Sequence, residues 1–264
     1  MHAGRLPGTV PGRELRKDAG QAVSQPDARK DETEDFLEDI LGFNFRSLRT
    51  LRDLLIRPRR VFETYAVRDR ETYTPSLRLW LGIISIQVLF SVIWGGYGGI
   101  LLSQWQSQPE STIASIETAM GGSIEAIAGY YGDVATLLHA IVVGGSTAFS
   151  AFLIGVFNKS LSWAARINIT FGILTAASVI GLLMLIVAAI TGTMAFLNWS
   201  IALIALIYWI TFARGAPGIL ARSRTGAVLK GALFSFVTML LVLLGGAVMA
   251  IIGFVYAAIR INGG

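Results

Sequence analysis

After Asp133 the chain carries no acidic residue through to Gly264, and the same stretch holds only Lys159, Arg166, Arg214, Arg222, Arg224, Lys230 and Arg260 as cations. A stretch so short of charge cannot supply the wetted surface of a soluble domain, where about 25% of residues are charged. Over the whole chain 15% are charged and 53% hydrophobic, with a mean hydropathy of +0.61. Charge is concentrated at the front, since 13 of the 17 acidic and 15 of the 22 basic residues precede Leu81. The chain therefore divides into a charged arm and an apolar body, and the expected fold class is an all-α membrane protein.

Crossing the hydrocarbon takes about 20 apolar residues. Five stretches meet that need, at about 79–102, 134–157, 167–190, 195–213 and 231–259. The fourth is short, and the fifth is long enough to require tilt or a kink. Basic residues fix the orientation, because they are retained on the cytoplasmic side. Nine arginines between Arg46 and Arg78 place the N-terminus inside. The segment 103–133 holds Glu110, Glu117, Glu125 and Asp133 with no lysine or arginine, as an external loop should. Lys159 and Arg166 return inside, 191–195 is uncharged and outside, and Arg214, Arg222, Arg224 and Lys230 are inside again. An odd number of spans leaves the C-terminus outside, and only Arg260 runs against the pattern, so four or six spans is the alternative. Arginine outnumbers lysine 18 to 4, as in proteins from GC-rich bacterial genomes, so the expected location is a bacterial inner membrane with a periplasmic C-terminus.

Three segments precede or interrupt the spans. Residues 1–33 are rich in Gly, Pro, Ala, Gln and charge, too polar for a core, and are expected to be disordered or held by a partner. They contain no apolar run resembling a cleavable signal peptide. An acidic cluster, Asp31, Glu32, Glu34, Asp35, Glu38 and Asp39, opens the arm at 34–78. From there Leu37, Leu41, Phe45, Leu48, Leu51 and Leu55 form a helical stripe that Leu54 widens, with Arg46, Arg49 and Arg52 on another face, until Pro58 stops or kinks the helix. A basic amphipathic helix just before a span is expected to lie on the cytoplasmic leaflet against anionic lipid, with Arg46, Arg49, Arg52, Arg57, Arg59 and Arg60 as the contact residues. The alternative is that it packs on the bundle or on another protein. In the external loop, Ile113, Ile116, Met120, Ile124 and Ile127 recur at helical spacing, and Gly121-Gly122 predicts a hinge between two short helices.

Residues able to do chemistry are scarce. There is no cysteine, which removes disulfides, thiolate nucleophiles and cysteine-ligated metal. His139 is the single ionisable residue inside a predicted span, and a satisfied structural histidine is the preferred reading. Its neighbour Ser146 lies seven residues on, roughly 10 Å along the helix axis, too far for a nucleophile and its base. A partner serine would have to come from another helix, such as Ser178. Gln87, Asn168, Asn198, Thr175 and Thr238 are expected to hydrogen-bond between helices, each contributing about 0.6 kcal/mol. None of the glycine pairs forms a phosphate loop with its lysine. Instead, small residues recur about four apart at Gly95 and Gly99, at Ala140, Gly144 and Ala148, at Gly172 and Ala176, and at Gly246, Ala250, Gly253 and Ala257. That spacing predicts tight helix packing or an oligomer.

The segment from Phe43 to Leu81, FNFRSLRTLRDLLIRPRRVFETYAVRDRETYTPSLRLWL, resembles the lead-in to the membrane region of a bacterial family of unknown function. Leu54, Leu55, Pro58, Phe62, Tyr65, Tyr73 and Pro75 occupy the matching places. The later spans are broadly similar to that family and to the Yip-type five-span proteins, though in hydropathy alone. Members commonly begin with a cysteine zinc ribbon, which this chain lacks, so no metal role is implied. The resemblance implies topology and no activity.

The leading functional expectation is a non-enzymatic accessory or scaffolding protein that binds other membrane proteins or its own copies, with no nucleic-acid partner and no cofactor singled out. A permease or lipid-handling protein is the alternative, since a short fourth span and a glycine-interrupted fifth suit a substrate site. An intramembrane enzyme comes third.

Overall fold

The computed structural model describes residues 45–69, 71–92, 95–191 and 199–263. The tail at 1–33, the acidic cluster, Leu37, Leu41 and Asn198 lie outside the described residues. Among those described there are ten α-helices and no β-strand.

The arm forms α1 (Phe45–Ile56) and α2 (Pro58–Ala66). The boundary follows from Pro58, whose missing N–H is one the first turn of a helix leaves unpaired anyway, so it closes α1 and opens α2. After α2 the chain turns at Arg68, in the left-handed region with φ 62°. Asp69 then accepts the backbone N–H groups of Glu71 and Thr72 at 2.8 and 3.2 Å, an Asx turn that aims the chain toward Pro75. That proline leads into α3 (Ser76–Ser91).

The first predicted span is not one helix. α3 and α4 (Gly96–Gln106) are bent by 57°, because Gly95 and Gly96 adopt φ of 75° and 69°, open at low cost only to glycine. Gly95 is thus a turn residue, where the small-residue spacing had suggested packing. The close approach belongs to Gly98, where a Cβ would sit 2.5 Å from the Ala128 carbonyl oxygen and which faces Gly132. Gly99, half-buried, donates its N–H to the Gly95 carbonyl at 3.1 Å.

The segment predicted as a loop at 103–133 is mostly helical and partly continuous with the next span. α5 (Glu110–Met120) ends at left-handed Gly121, and α6 (Ile124–Ala148) starts ten residues before the predicted span. Ser123 caps α6 by accepting the Ala126 N–H at 3.3 Å, and the Glu117 carboxylate accepts the Ile124 N–H at 3.0 Å. Ile124 and Ile127 are therefore buried residues of α6, while α5 buries none of its own. A break at Phe149 separates α6 from α7 (Ser150–Phe157), after which come α8 (Trp163–Thr191), α9 (Ser200–Gly215) and α10 (Arg224–Asn262).

Three stretches are long and apolar enough to cross a membrane, α6 with α7, α8, and α10, and the bent pair α3–α4 makes a fourth if counted as one span. The 16-residue α9 is apolar but shorter. At 39 residues α10 extends about 58 Å, nearly twice the hydrocarbon thickness. It pairs with α6 along a face of Gly245, Met249, Gly253 and Ala257. Gly253 lies against the Tyr131 ring, and a Cβ on Gly245 would come within 2.9 Å of Ser146 Oγ. Gly253 and Ala257 of the predicted stripe lie on this face, whereas its first half is displaced by one residue, since a Cβ on Gly246 would meet nothing and Ala250 is only half-buried. Gly144 packs under the Trp80 indole, with Ala148 one turn on, partly buried at the edge of the core. That core lies where α2, the starts of α3, α8 and α10 and the end of α9 meet, around Phe62, Tyr65, Trp80, Phe171, Phe212 and Phe234.

Gly98→Ala sets a methyl group against backbone, which no rotamer change can relieve, and should cost about 1–3 kcal/mol. Gly246→Ala, with open space and a helix former in place of glycine, should be neutral or stabilising by up to ~1 kcal/mol. Thermal unfolding of the two variants in detergent separates these outcomes.

Candidate functional site

The densest polar cluster lies where the arm meets the bundle. On α1, Ser47, Thr50, Asp53 and Leu54 are 2% exposed or less, whereas Phe45, Leu48 and Ile56 are 55–70% exposed. The helix buries Ser47, Thr50 and Asp53 together with Leu54 against the protein, leaves Leu51 and Leu55 half-buried, and turns Phe45, Leu48 and Ile56 outward. Thr50 Oγ1 donates to the Arg46 carbonyl at 2.7 Å and accepts the Thr74 N–H at 3.0 Å, while Ser47 Oγ lies 3.2 Å from Thr74 Oγ1. The Tyr73 hydroxyl donates to Asp53 Oδ2 at 2.8 Å, and Arg52 donates to Asp53 Oδ1 at 2.9 Å.

A second layer carries the network into the bundle. Tyr65 donates its hydroxyl to the Thr74 carbonyl at 2.7 Å and accepts from Ser76 Oγ at 2.8 Å. Asn168 Oδ1 on α8 accepts the Ser76 N–H at 3.0 Å, and Thr175 Oγ1 donates to the Ser76 carbonyl at 3.4 Å. At the far end of α1 the Arg214 guanidinium, from the last turn of α9, donates to the Leu55 and Ile56 carbonyls at 3.1 and 2.5 Å. That cation fills the acceptors a helix C-terminus leaves open. The Phe62 ring lies against Gly215, where any Cβ would displace it. A cavity of about 250 Å³ adjoins the network, lined by Tyr65, Arg68, Asp69, Tyr73, Trp163 and Asn168 among others.

Charge is graded across this site. Burial pushes the Asp53 carboxyl up, but the Tyr73 and Arg52 hydrogen bonds and the Arg52 and Arg49 charges more than offset it and hold Asp53 below the usual carboxylate range. Tyr73 is raised, by burial and then by its bond to Asp53, so it stays a donor. Burial raises Tyr65 further still.

The six predicted contact arginines share no single face and no single role. Arg46 is half-buried and reaches the Glu71 carbonyl at 3.5 Å, the outer limit of a hydrogen bond. Arg49 stacks over the Tyr73 ring at 5.6 Å, Arg52 pairs with Asp53, and Arg59 pairs with Glu63 at 2.8 Å in the open. Arg57 and Arg60 are exposed. Arg49 and Arg52 lie among Phe45, Leu48 and Ile56 on the outward side, so the basic and apolar faces interleave where the sequence reading had separated them.

The membrane interior offers little chemistry. His139 is half-buried and stacks on Tyr97 at 4.7 Å between ring centroids. Ser146 Oγ donates to the Val142 carbonyl of its own helix at 2.9 Å, and the Ser178 carbonyl accepts from Gln87 Nε2 at 2.7 Å. Thr238 Oγ1 is buried without a hydrogen-bond partner among the described residues. No group of three or more histidines and carboxylates suited to a metal occurs among the described residues. The sequence reading missed Ser47, Thr50, Tyr65, Tyr73 and Thr74 as a network. Its signal was the Ser47, Thr50, Asp53 spacing of three and three, a small polar strip beside Leu54 on a helix whose other polar residues are arginines.

No protein-family model, curated protein or solved structure matches the chain. What the site can do is read from its own geometry.

Because Asp53 is held below its ordinary pKa in the docked arm, its contribution is complete above the unfolded value of about 4 and is lost as pH falls through the lower folded value. Hydrogen-exchange protection of α1 should therefore drop in acid below about pH 4 in the wild type. Asp53→Asn should start lower and lack that step. Arg214→Ala strips two carbonyls of their donor and should cost about 1–3 kcal/mol, seen as faster exchange at the end of α1 with little change in α6.

Proposed function

We propose that the chain is a five-pass protein of a bacterial inner membrane, N-terminus cytoplasmic and C-terminus periplasmic, that acts as a non-enzymatic accessory or scaffolding subunit. The arm and its bundle junction form the surface through which it engages other membrane proteins. Supporting the topology, Lys159, Arg166, Arg214, Arg222, Arg224 and Lys230 fall at the end of the bundle that holds the arm, whereas Glu110, Glu117, Glu125 and Asp133 fall at the other. Arg260, the exception to the charge rule, sits over the Tyr130 ring at 5.6 Å at the acidic end, which accounts for it locally. Counting the bent pair and the short α9 as spans gives five passes.

The observation that carries the functional reading is the way α1 is docked. Fixed to its own bundle through Ser47, Thr50, Asp53 and Leu54, the arm still leaves Phe45, Leu48, Ile56 and Val67 exposed and is a platform for something else. Affinity purification from native membranes should recover specific partner proteins with the wild type. Val67→Glu, at an exposed apolar position of the arm just past α2 and off the face of α1, should reduce their recovery at least about tenfold, the effect of losing one strong contact. Recovery of the wild type alone and monodisperse overturns the reading. On the same reading His139→Ala leaves partner recovery and expression unchanged.

A permease is the second reading, and one observation favours it. The turn at Gly95-Gly96 leaves the start of α4 as a half-helix end beside Tyr97 and His139, the arrangement broken transporter helices use. A partner-free protein whose loss from cells abolishes uptake of a solute would select it.

A further inference from the structure

We infer that α1 lies in the headgroup layer of an anionic leaflet, apolar side toward the acyl chains, and that anionic phospholipid is the ligand of its outward face. This rests on the membrane reading above and names what covers the platform nearest the bilayer. An ordinary interfacial helix puts its apolar face in lipid and its polar face in water. Here the polar face is already occupied, since Ser47, Thr50 and Asp53 are spent on Tyr73, Thr74 and Arg52. What remains outward is Phe45 at 70%, Leu48 at 55% and Ile56 at 55% exposure, with exposed Arg49 and Arg52 between them. No carboxylate of α1 shares that side, because its only acid, Asp53, is buried.

Interleaved arginine and apolar side chains suit the boundary between acyl chains and phosphates, where the aliphatic stem lies in apolar surroundings and the guanidinium reaches outward. Height along the bundle agrees. α1 is tied to the start of α3 through Thr74, and to the end of α9 through Arg214. It therefore lies across the helix ends, where hydrocarbon gives way to headgroups. Trp163, half exposed at the start of α8, sits at the same level, as indole rings do in the interfacial belt. Arg57, Arg59 and Arg60 carry the basic surface on from α1 into α2. Charge complementarity thus selects an anionic bilayer over an apolar protein groove.

The absence of native cysteine makes site-specific labelling direct. The full chain carrying a nitroxide at Leu48→Cys is reconstituted into vesicles of phosphatidylcholine alone or with phosphatidylglycerol, and accessibility to oxygen and to an aqueous nickel chelate is read by paramagnetic relaxation. A label at the exposed α10 residue Leu240 serves as the hydrocarbon reference. The expected result is a Leu48 label sheltered from nickel and open to oxygen, more so with phosphatidylglycerol. Arg49→Gln with Arg57→Gln should lower the sheltered-to-exposed ratio about fivefold for each arginine removed, equivalent to about 1 kcal/mol each. A Leu48 label open to nickel in both vesicles overturns the inference and leaves the accessory reading standing. So does a label closed to both relaxants in native membranes alone, which would place a protein there. A nickel-accessible Leu240 label would instead sink the membrane reading beneath both.

Discussion

Helices as apolar as α8 and α10 gain nothing by hiding from lipid tails that are equally apolar. They must be held together by close contact and by hydrogen bonds, and that constraint organises the molecule. Contact is achieved where glycine lets another group approach, as at Gly98 against Gly132, Gly144 under Trp80 and Gly253 under Tyr131. Hydrogen bonds are placed mainly at the ends. Among the described residues Gln87 to Ser178, Ser235 to Ala205 and Trp209 to Val228 join one apolar helix to another, whereas the junction of arm and bundle holds a continuous network from Ser47 to Thr175. The bundle is thus joined by shape along its length and by polarity at one end.

The same division explains why the arm docks as it does. A mobile tether would leave Asp53 in water and Tyr73 free, but their bond, with Tyr65 and Ser76 behind it, ties the lead-in segment to α8. Phe62 supplies the apolar part of the joint, seated against Gly215 and near Gly172. Gly215 is required by the ring and Gly172 is crowded first by Leu54 and Ser76, both 3.2 Å from where a Cβ would sit, rather than by backbone conformation, since neither has a positive φ.

Much of this was legible in the sequence. The apolar stretches, the helix stop at Pro58 and the break at Gly121 all follow from local chemistry that acts over a few residues. Small-residue spacing identified that α10 packs tightly and placed Gly253 and Ala257 on the face, but put its first half one residue off, because Gly245 and Gly246 are equally small and only the partner helix distinguishes them. Gly95 was read as a packing residue for the same reason, a glycine's use as a turn or as a contact being a property of its surroundings. The junction was illegible for a different reason. The bonds that close it join residues far apart in the chain, Asp53 with Tyr73 at 20 positions and Ser76 with Asn168 at 92, and no periodicity reports such pairs.

One consequence follows from how the cations of the basic end are bonded. Arg166 donates to the Leu161 and Lys159 carbonyls, Arg214 to Leu55 and Ile56, and Lys230 to Leu220. A carbonyl satisfies the donor yet cancels none of its charge, unlike a carboxylate. These three side chains are therefore immobilised as structural fasteners while still projecting their full positive field. No acid follows Asp133 in the chain, so at that end the carboxylates able to offset these charges are those the arm brings, Asp53 beside Arg52 and Glu63 beside Arg59 among them, and beyond them the field is screened by mobile counterions.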